Sequence, residues 1–489
     1  MKSLDNLLEY LNEIEEKSYI VNLMHWEMDT IAPKKSFDYL IEVKNKVEME
    51  CFKMSTSQEF KSLVSAVIND KEFKTLSLEE QRYVEELMED ILREERVPED
   101  FMSEYLTLSD NSNNAWAEAK AQNDYNIFKP YLEKMVEQTK KYYRYMFPDT
   151  ENLYDEMLDT YEKGMTSKEI DKLFEELKKH IIPLVKNLKL KNLVKKEIKY
   201  SDSELIDISK YLLNYIGFDN DRGALGIYPH GYTNKINNND VRIAFSQNKS
   251  IFDHVCTIIH EGGHGIFEQS IGKNLSKYAT YSIGKYALHE SQSRFFENIL
   301  GRNKNFWIPI YDELKEKMKL DLSLDEFMEY LNDAKPSYKR TEADELTYCL
   351  HIIMRYEIER DLFADKISAE DLEKIWNEKT KEYFGLDVVN ASDGILQDVH
   401  WSQGSFGYFP SYLLGSILDG MLAYAIERDL GSIDELLSTG RIKEITKYLQ
   451  ENIHTFGGAY TFKEVVNRVC KKELSVEPLV KYFKSKYQK

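Results

Sequence analysis

Residues 258–267 read IIHEGGHGIF: two histidines four positions apart, with a glutamate directly after the first. In a helix, positions i and i+4 lie about 40° apart around the axis. His260 and His264 then project from one face and can share a metal ion, and neutral imidazole is a good zinc ligand. Glu261 is carried beside them, placed to take a proton from water that a metal activates. Against the helix stand Gly262 and Gly263, since glycine costs about 1 kcal/mol per residue relative to alanine. The flanks argue for it: Ile251, Val255, Ile258, Ile259 and Ile266 form an apolar stripe at helical spacing. Glycines kept inside a packed helix imply close approach by another helix or by a ligand.

The same periodicity runs through most of the chain. Leu4, Leu7, Leu8, Leu11 and Ile14 lie on one helical face, and SLEEQRYVEELMEDILREE and SKEIDKLFEELKKHIIPLVKNL repeat the rhythm. In the second of these, Ser167 is the expected N-cap. Residues 224–248, ALGIYPHGYTNKINNNDVRIAFSQN, break the pattern. VRIAF suits a short strand and TNKINNND is turn chemistry, so a small hairpin or sheet is expected just before the HEGGH helix. A second irregular stretch, residues 393–412, DGILQDVHWSQGSFGYFPSY, sets glycines among His, Trp and Tyr, the composition of a binding loop on a rigid scaffold. With only ten prolines, no repeat period and no low-complexity linker, the expected fold is mainly α. It forms one domain over 1–489, with a helical part at about 1–200 and a metal-site-bearing part at about 201–489.

Composition narrows the function. The 489 residues are 42% apolar and 31% charged, with a net charge of −20. A polyanionic surface repels nucleic acid and anionic lipid, so neither is an expected partner. No apolar run of spanning length stands out, and the acidic, amphipathic N-terminus lacks the features of a signal peptide. Four widely spaced cysteines, Cys51, Cys256, Cys349 and Cys470, suggest free thiols in a reducing cytoplasm.

A catalytic zinc takes three protein ligands and keeps one position open. The stretch HESQSRFFENIL, residues 289–300, offers Glu290 and Glu297 on its polar side, seven residues apart. Spacing does not choose between them.

Taken together, these motifs resemble the carboxypeptidase Taq family of zinc metallocarboxypeptidases, which are gluzincin-like HExxH enzymes. The likeness extends over nearly the whole chain. Gly394, Gln397, Asp398, His400 and Trp401 match the family signature G-x-x-Q-D-x-H-W, and HESQ resembles its second-helix motif. KRTEAD resembles I-R-x-x-A-D through Arg340 and Asp344, with Lys339 in place of isoleucine. DVRIA resembles D-x-R-x-T through Asp240 and Arg242, with Ala244 in place of threonine. HGY keeps only His230 of H-P-F, with Gly231 in place of proline. HWEMDTIAP, NAWAEAKAQNDYNIFKPYLE and YDEMLDTYEKG are also family-like. The resemblance implies a mostly helical, two-lobed fold around a deep groove, often a homodimer, with zinc or sometimes cobalt. It implies release of single residues from peptide C-termini. By resemblance, Glu290 is the third ligand, and an arginine at the Arg340 position is associated with limiting substrate length.

An exopeptidase of this kind must recognise a free carboxylate, which a planar guanidinium does well. Arg340 is the first choice and Arg242 the second, although local ion pairs with Glu342 or Asp344, and with Asp240, would serve a purely structural role. Tyr408 and His400 are candidate donors to the oxyanion, beside Glu261 as the general base. Gln397 and Asp398 are candidates for orienting a ligand histidine or for capping the loop, and Trp401 for lining the substrate site. Two other readings use the same residues: a zinc endopeptidase or aminopeptidase, and a non-catalytic peptide-binding scaffold. An intact Glu261 argues against the scaffold, since binding alone needs no general base.

Overall fold

A computed structural model describes residues 1–191, 193, 198–278 and 286–488. The chain is mainly helical, and its described strands form one three-stranded sheet. It divides into two compact units. The first comprises Met1–Ile91, Leu193–Leu331 and Leu422–Glu473; the second comprises Leu92–Asn192, Asn332–Met421 and Leu474–Lys489. Both units therefore draw on segments from either side of residue 200, because helices distant in sequence pack together.

The first unit opens with Lys2–Thr30 (α1), which buries Leu4, Leu7, Leu11 and Ile14 as the apolar spacing requires. Phe37–Ser55 (α2) follows and buries none of its residues. Asp202–Ile216 (α3) begins with a reciprocal cap, in which the Ser201 hydroxyl accepts from the Glu204 N–H and Glu204 accepts from the Ser201 N–H. Next come the strands Gly223–Ile227 (β1), Tyr232–Asn237 (β2) and Asp240–Phe245 (β3). β3 lies in the middle, parallel to β1 and antiparallel to β2. The expected turn TNKINNND is thus mostly strand: only Asn238 and Asn239 turn, and a register shift between Lys235 and Asn237 accommodates them. The helix Ile251–Ser270 (α4) carries HEGGH against this sheet. Tyr286–Arg294 (α5) packs on α4 and continues into a π-helical turn, Phe295–Gly301.

The second unit is organised around Glu345–Phe363 (α6), which is buried around nearly its whole circumference. Asp344 caps it, its carboxylate accepting from the Leu346 and Thr347 N–H groups at 3.0 Å each. The helix Ser167–Lys186 packs beside it. Its N-cap is Thr166 rather than Ser167: the Thr166 hydroxyl accepts from the Glu169 N–H, and the Glu169 side chain reaches back to complete a capping box. Ser167 instead donates its backbone N–H to Asp155 at 2.7 Å. One described helix, Phe409–Leu430, whose residues fall in both units, is long and apolar enough to cross a membrane by length and composition. With 83% of its most apolar window buried inside the protein, it reads as a core helix.

Candidate metal centre

Ser250 starts α4 by accepting from the Asp253 N–H at 3.3 Å. The helix persists through its glycines because two neighbours need the space. A Cβ on Gly262 would stand 2.6 Å from Ile216 Cδ1 and 2.7 Å from Leu213 Cδ2, both on α3. A Cβ on Gly263 would stand 2.7 Å from the Gln292 carbonyl oxygen, on the backbone of α5. The glycines let α4 approach α5 backbone to backbone.

That approach brings His260, His264 and Glu290 together, with one potential ligand atom from each within 4.8 Å of the others. His264 Nε2 lies 3.8 Å from Glu290 Oε2, too far for a hydrogen bond. Two ligands bound tetrahedrally at about 2.0–2.1 Å stand about 3.3–3.4 Å apart, so the donor set could hold one divalent metal once its atoms close on it. The state of His264 also fits: burial, reinforced by the neighbouring His289 and His260, holds its pKa well below the usual value, and its Nδ1 is buried without a hydrogen-bond partner. A neutral imidazole is the form that binds metal.

Glu297 occupies a different position. Its Oε2 lies 3.0 Å from His260 Nδ1, and its Oε1 accepts from Arg302 Nη2 at 3.0 Å. This leaves the Nε2 edge of His260 for a ligand. Burial opposes ionisation of Glu297, yet His260 and Arg302 hold its carboxyl well below the usual range. Glu290 has a basic partner of its own in Arg294, whose Nε donates to its Oε1 at 2.6 Å.

Glu261 is 7% exposed, and burial pushes its carboxyl pKa up. Its Oε2 accepts from the Thr233 hydroxyl on β2 at 2.8 Å. Two residues further along β2, Lys235 Nζ reaches Glu268 Oε2 at 3.0 Å, and Glu268 Oε1 lies 3.0 Å from His289 Nε2. Burial would raise the Glu268 carboxyl, but Lys235 and His289 bring it down to about 2. His289 stacks on His264 with ring centroids 4.4 Å apart. Sequence reading did not single out Thr233, Lys235 or Glu268. The available signal was the period-two spacing of Thr233 and Lys235, which puts both on one face of the strand.

Elsewhere in the sheet, Arg242 makes a two-pronged ion pair with Asp240, at 2.8 Å on each oxygen, and lies over the Trp26 ring. Both residues are engaged with each other, as a strand's i, i+2 spacing allows. His230 is exposed, with its ring against Tyr228.

The remaining candidates lie in the second unit. Arg340 pairs with neither Glu342 nor Asp344; its Nε and Nη2 donate to Asp398 Oδ1 at 3.1 and 2.9 Å. Arg355, on α6, donates to Asp398 Oδ2 at 2.7 Å and to Gln397 Oε1 at 2.7 Å. Gln397 also accepts from the Arg340 N–H and donates to backbone carbonyls, including that of Tyr338 at 3.0 Å. Gln397 and Asp398 thus hold two arginines rather than presenting themselves to a ligand, and two guanidiniums share one carboxylate. Trp401 is buried, and its indole N–H donates to Glu359 at 2.6 Å, so it anchors the loop from within. Glu359 also accepts from the Gly407 N–H and the Tyr154 hydroxyl. His400 and Tyr408 stack at 5.5 Å on the same loop. The family-like helix near residue 116 supports this loop, with Trp116 Nε1 and Lys120 Nζ donating to the carbonyls of Leu396 and Gln397.

A family model described as Carboxypeptidase Taq (M32) metallopeptidase matches residues 6–487. Carboxypeptidase 1 of Bacillus subtilis (strain 168) is 37% identical over 490 residues, covering 98% of this chain and 97% of that protein. Thermostable carboxypeptidase 1 of Pyrococcus furiosus is 30% identical over 475 residues, covering 95% and 94%. Among solved structures, the M32 carboxypeptidase from Deinococcus radiodurans R1 superposes with a TM-score of 0.94 at 26% identity, covering 100% of this chain and 99% of that one.

Proposed function

We propose, for a chain that belongs to the carboxypeptidase Taq (M32) metallopeptidase family and is a metal-dependent carboxypeptidase, a zinc centre held by His260, His264 and Glu290 with Glu261 as general base. The observation that carries this reading is the cluster of the three ligand atoms, with a buried carboxylate one residue from the first of them. Cobalt suits the same donor set.

Bound there, zinc would supply Lewis acidity and make a water acidic enough to lose its proton near neutral pH. Glu261 takes that proton at its carboxylate. The water's oxygen adds to the carbonyl carbon of the last peptide bond, and Glu261 returns the proton to the amine nitrogen as the C–N bond breaks, leaving a new carboxylate and one released C-terminal residue. Arg340 is the proposed anchor for the peptide's free carboxylate, because it shares its one acidic partner, Asp398, with Arg355. Tyr408 and His400 are the proposed donors to the carbonyl oxygen. Tyr408→Phe and His400→Ala should each slow turnover, and unchanged kcat in both would remove that assignment.

The reading extends to a homodimer in the cytoplasm. α2 buries none of its residues and exposes Tyr39, Met49 and Phe52, a surface suited to a second copy, and all four cysteines are free thiols. Light scattering should give twice the 57.6 kDa chain mass, and Phe52→Asp should lower it.

The deciding experiment is mass spectrometry of a peptide mixture incubated with zinc- or cobalt-loaded protein. Loss of single residues from free C-termini, abolished by a chelator and by Glu261→Gln, is the expected result. Trimming from N-termini or internal cleavage would overturn it.

A further inference from the structure

Glu261 is approached from two sides by the start of β2 and the residue just before it. The Thr233 hydroxyl lies 2.8 Å from Glu261 Oε2 and 2.9 Å from the Glu261 carbonyl oxygen. Both are acceptors, and the hydroxyl has one proton to donate, which it shares between them with the shorter distance to Oε2. On the other side, a Cβ on Gly231 would stand 2.4 Å from Thr257 Cγ2 and 3.3 Å from Glu261 Oε1. A side chain there would collide first with Thr257 and would crowd Oε1 only slightly.

The strand that carries Thr233 is itself fixed. The Tyr232 hydroxyl donates to Asp29 at 2.7 Å, and Lys235 pairs with Glu268 at 3.0 Å, one on either side of Thr233 in sequence. Thr233 and Lys235 share a strand face, and Glu261 and Glu268 lie two turns apart on one face of α4. Two contacts between the same pair of elements fix both the height and the rotation of β2 over the helix.

We propose that Thr233 is a positioning residue for proton transfer: its hydroxyl holds Glu261 Oε2 and so presents Oε1 as the atom that takes and returns the proton. A carboxylate without this donor would turn about its terminal torsion, which is soft. The inference rests on Glu261 being the general base and adds the group that aims it.

The test uses the zinc-loaded enzyme and an N-blocked dipeptide with a free C-terminus. Thr233→Val keeps the shape and removes the donor. It should lower kcat about 10- to 100-fold, the usual cost of misplacing a reacting group. KM, zinc affinity and the unfolding midpoint should stay at wild-type values, which a merely structural threonine would not allow. Thr233→Ser, which keeps the hydroxyl, should restore kcat to within about threefold, since the donor chemistry is unchanged. If Thr233→Val does not fold, Thr233→Cys, a weak donor of similar size, should lower kcat at least about fivefold. Should the folded donor-deficient variant turn over within about twofold of wild type while Glu261→Gln is inactive, the positioning role is overturned and the base assignment stands. If Glu261→Gln keeps wild-type kcat, the base assignment fails and the inference falls with it.

Discussion

Gly263 and Gln292 meet backbone to backbone: a Cβ on Gly263 would stand 2.7 Å from the Gln292 carbonyl oxygen and 2.7 Å from Ser293 Cα. The helices that carry His264 and Glu290 therefore touch with nothing between them, which sets the 3.8 Å spacing of those two side chains. At Gly262 the obstacles are only the ends of the Ile216 and Leu213 side chains, which can turn away. Gly263→Ala should cost about 2–3 kcal/mol in urea unfolding, because a backbone obstacle cannot yield. It should also weaken zinc binding by calorimetry. Gly262→Ala should come out near neutral, as about 1 kcal/mol of helix propensity offsets the repacking. Wild-type zinc affinity in Gly263→Ala would show that this contact does not set the ligand geometry.

The Glu297–His260 bond predicts a graded metal phenotype. Glu297→Gln keeps the shape but loses the charge that orients the ring, and zinc affinity should fall about 10- to 100-fold. Glu290→Gln should abolish tight binding altogether. Equal losses in the two variants, measured by chelator competition, would make Glu297 a ligand instead.

Asp398 predicts a large stability effect. Burial opposes its ionisation, but Arg355 and Arg340 hold its carboxyl well below the usual range. The side chains of Arg355 and Arg340 are only 1% and 11% exposed. Asp398→Asn would leave both without a counter-charge and should cost about 3–5 kcal/mol. Arg340→Ala leaves Asp398 paired with Arg355, so its stability cost should be smaller. Its activity loss should be large on peptides with a free C-terminus and slight on amidated ones.

His254 predicts how stability changes with pH. Burial against Ser209 and Phe245 brings its pKa from 6.5 down to about 4. Between those values the unfolded chain binds the proton and the folded one does not. The contribution is therefore intact above pH 6.5 and is lost as pH falls toward 4. The full effect is on the order of 3 kcal/mol or slightly more. Denaturation between pH 7 and 4.5 should show the fall, and His254→Gln should flatten it; an identical slope would assign the effect to other groups.

Local periodicity made much of this protein legible from its residues alone. The apolar stripe around HEGGH announced the helix despite its glycines, and i, i+4 spacing put both histidines on one face. Period-two spacing likewise paired Asp240 with Arg242. Periodicity had no means of choosing between Glu290 and Glu297, since seven residues bring a helix back to within about 20° of the same direction. Helix packing sets Glu290 beside His264 and Glu297 behind His260, and that placement is what favours Glu290 as the proposed ligand. Packing also gave Arg340 a partner 58 residues away instead of its acidic neighbours in sequence, and brought Thr233 onto Glu261 across 28 residues. A residue's spacing fixes the face it occupies, but its partner depends on which distant element packs against that face, and only the tertiary fold decides that.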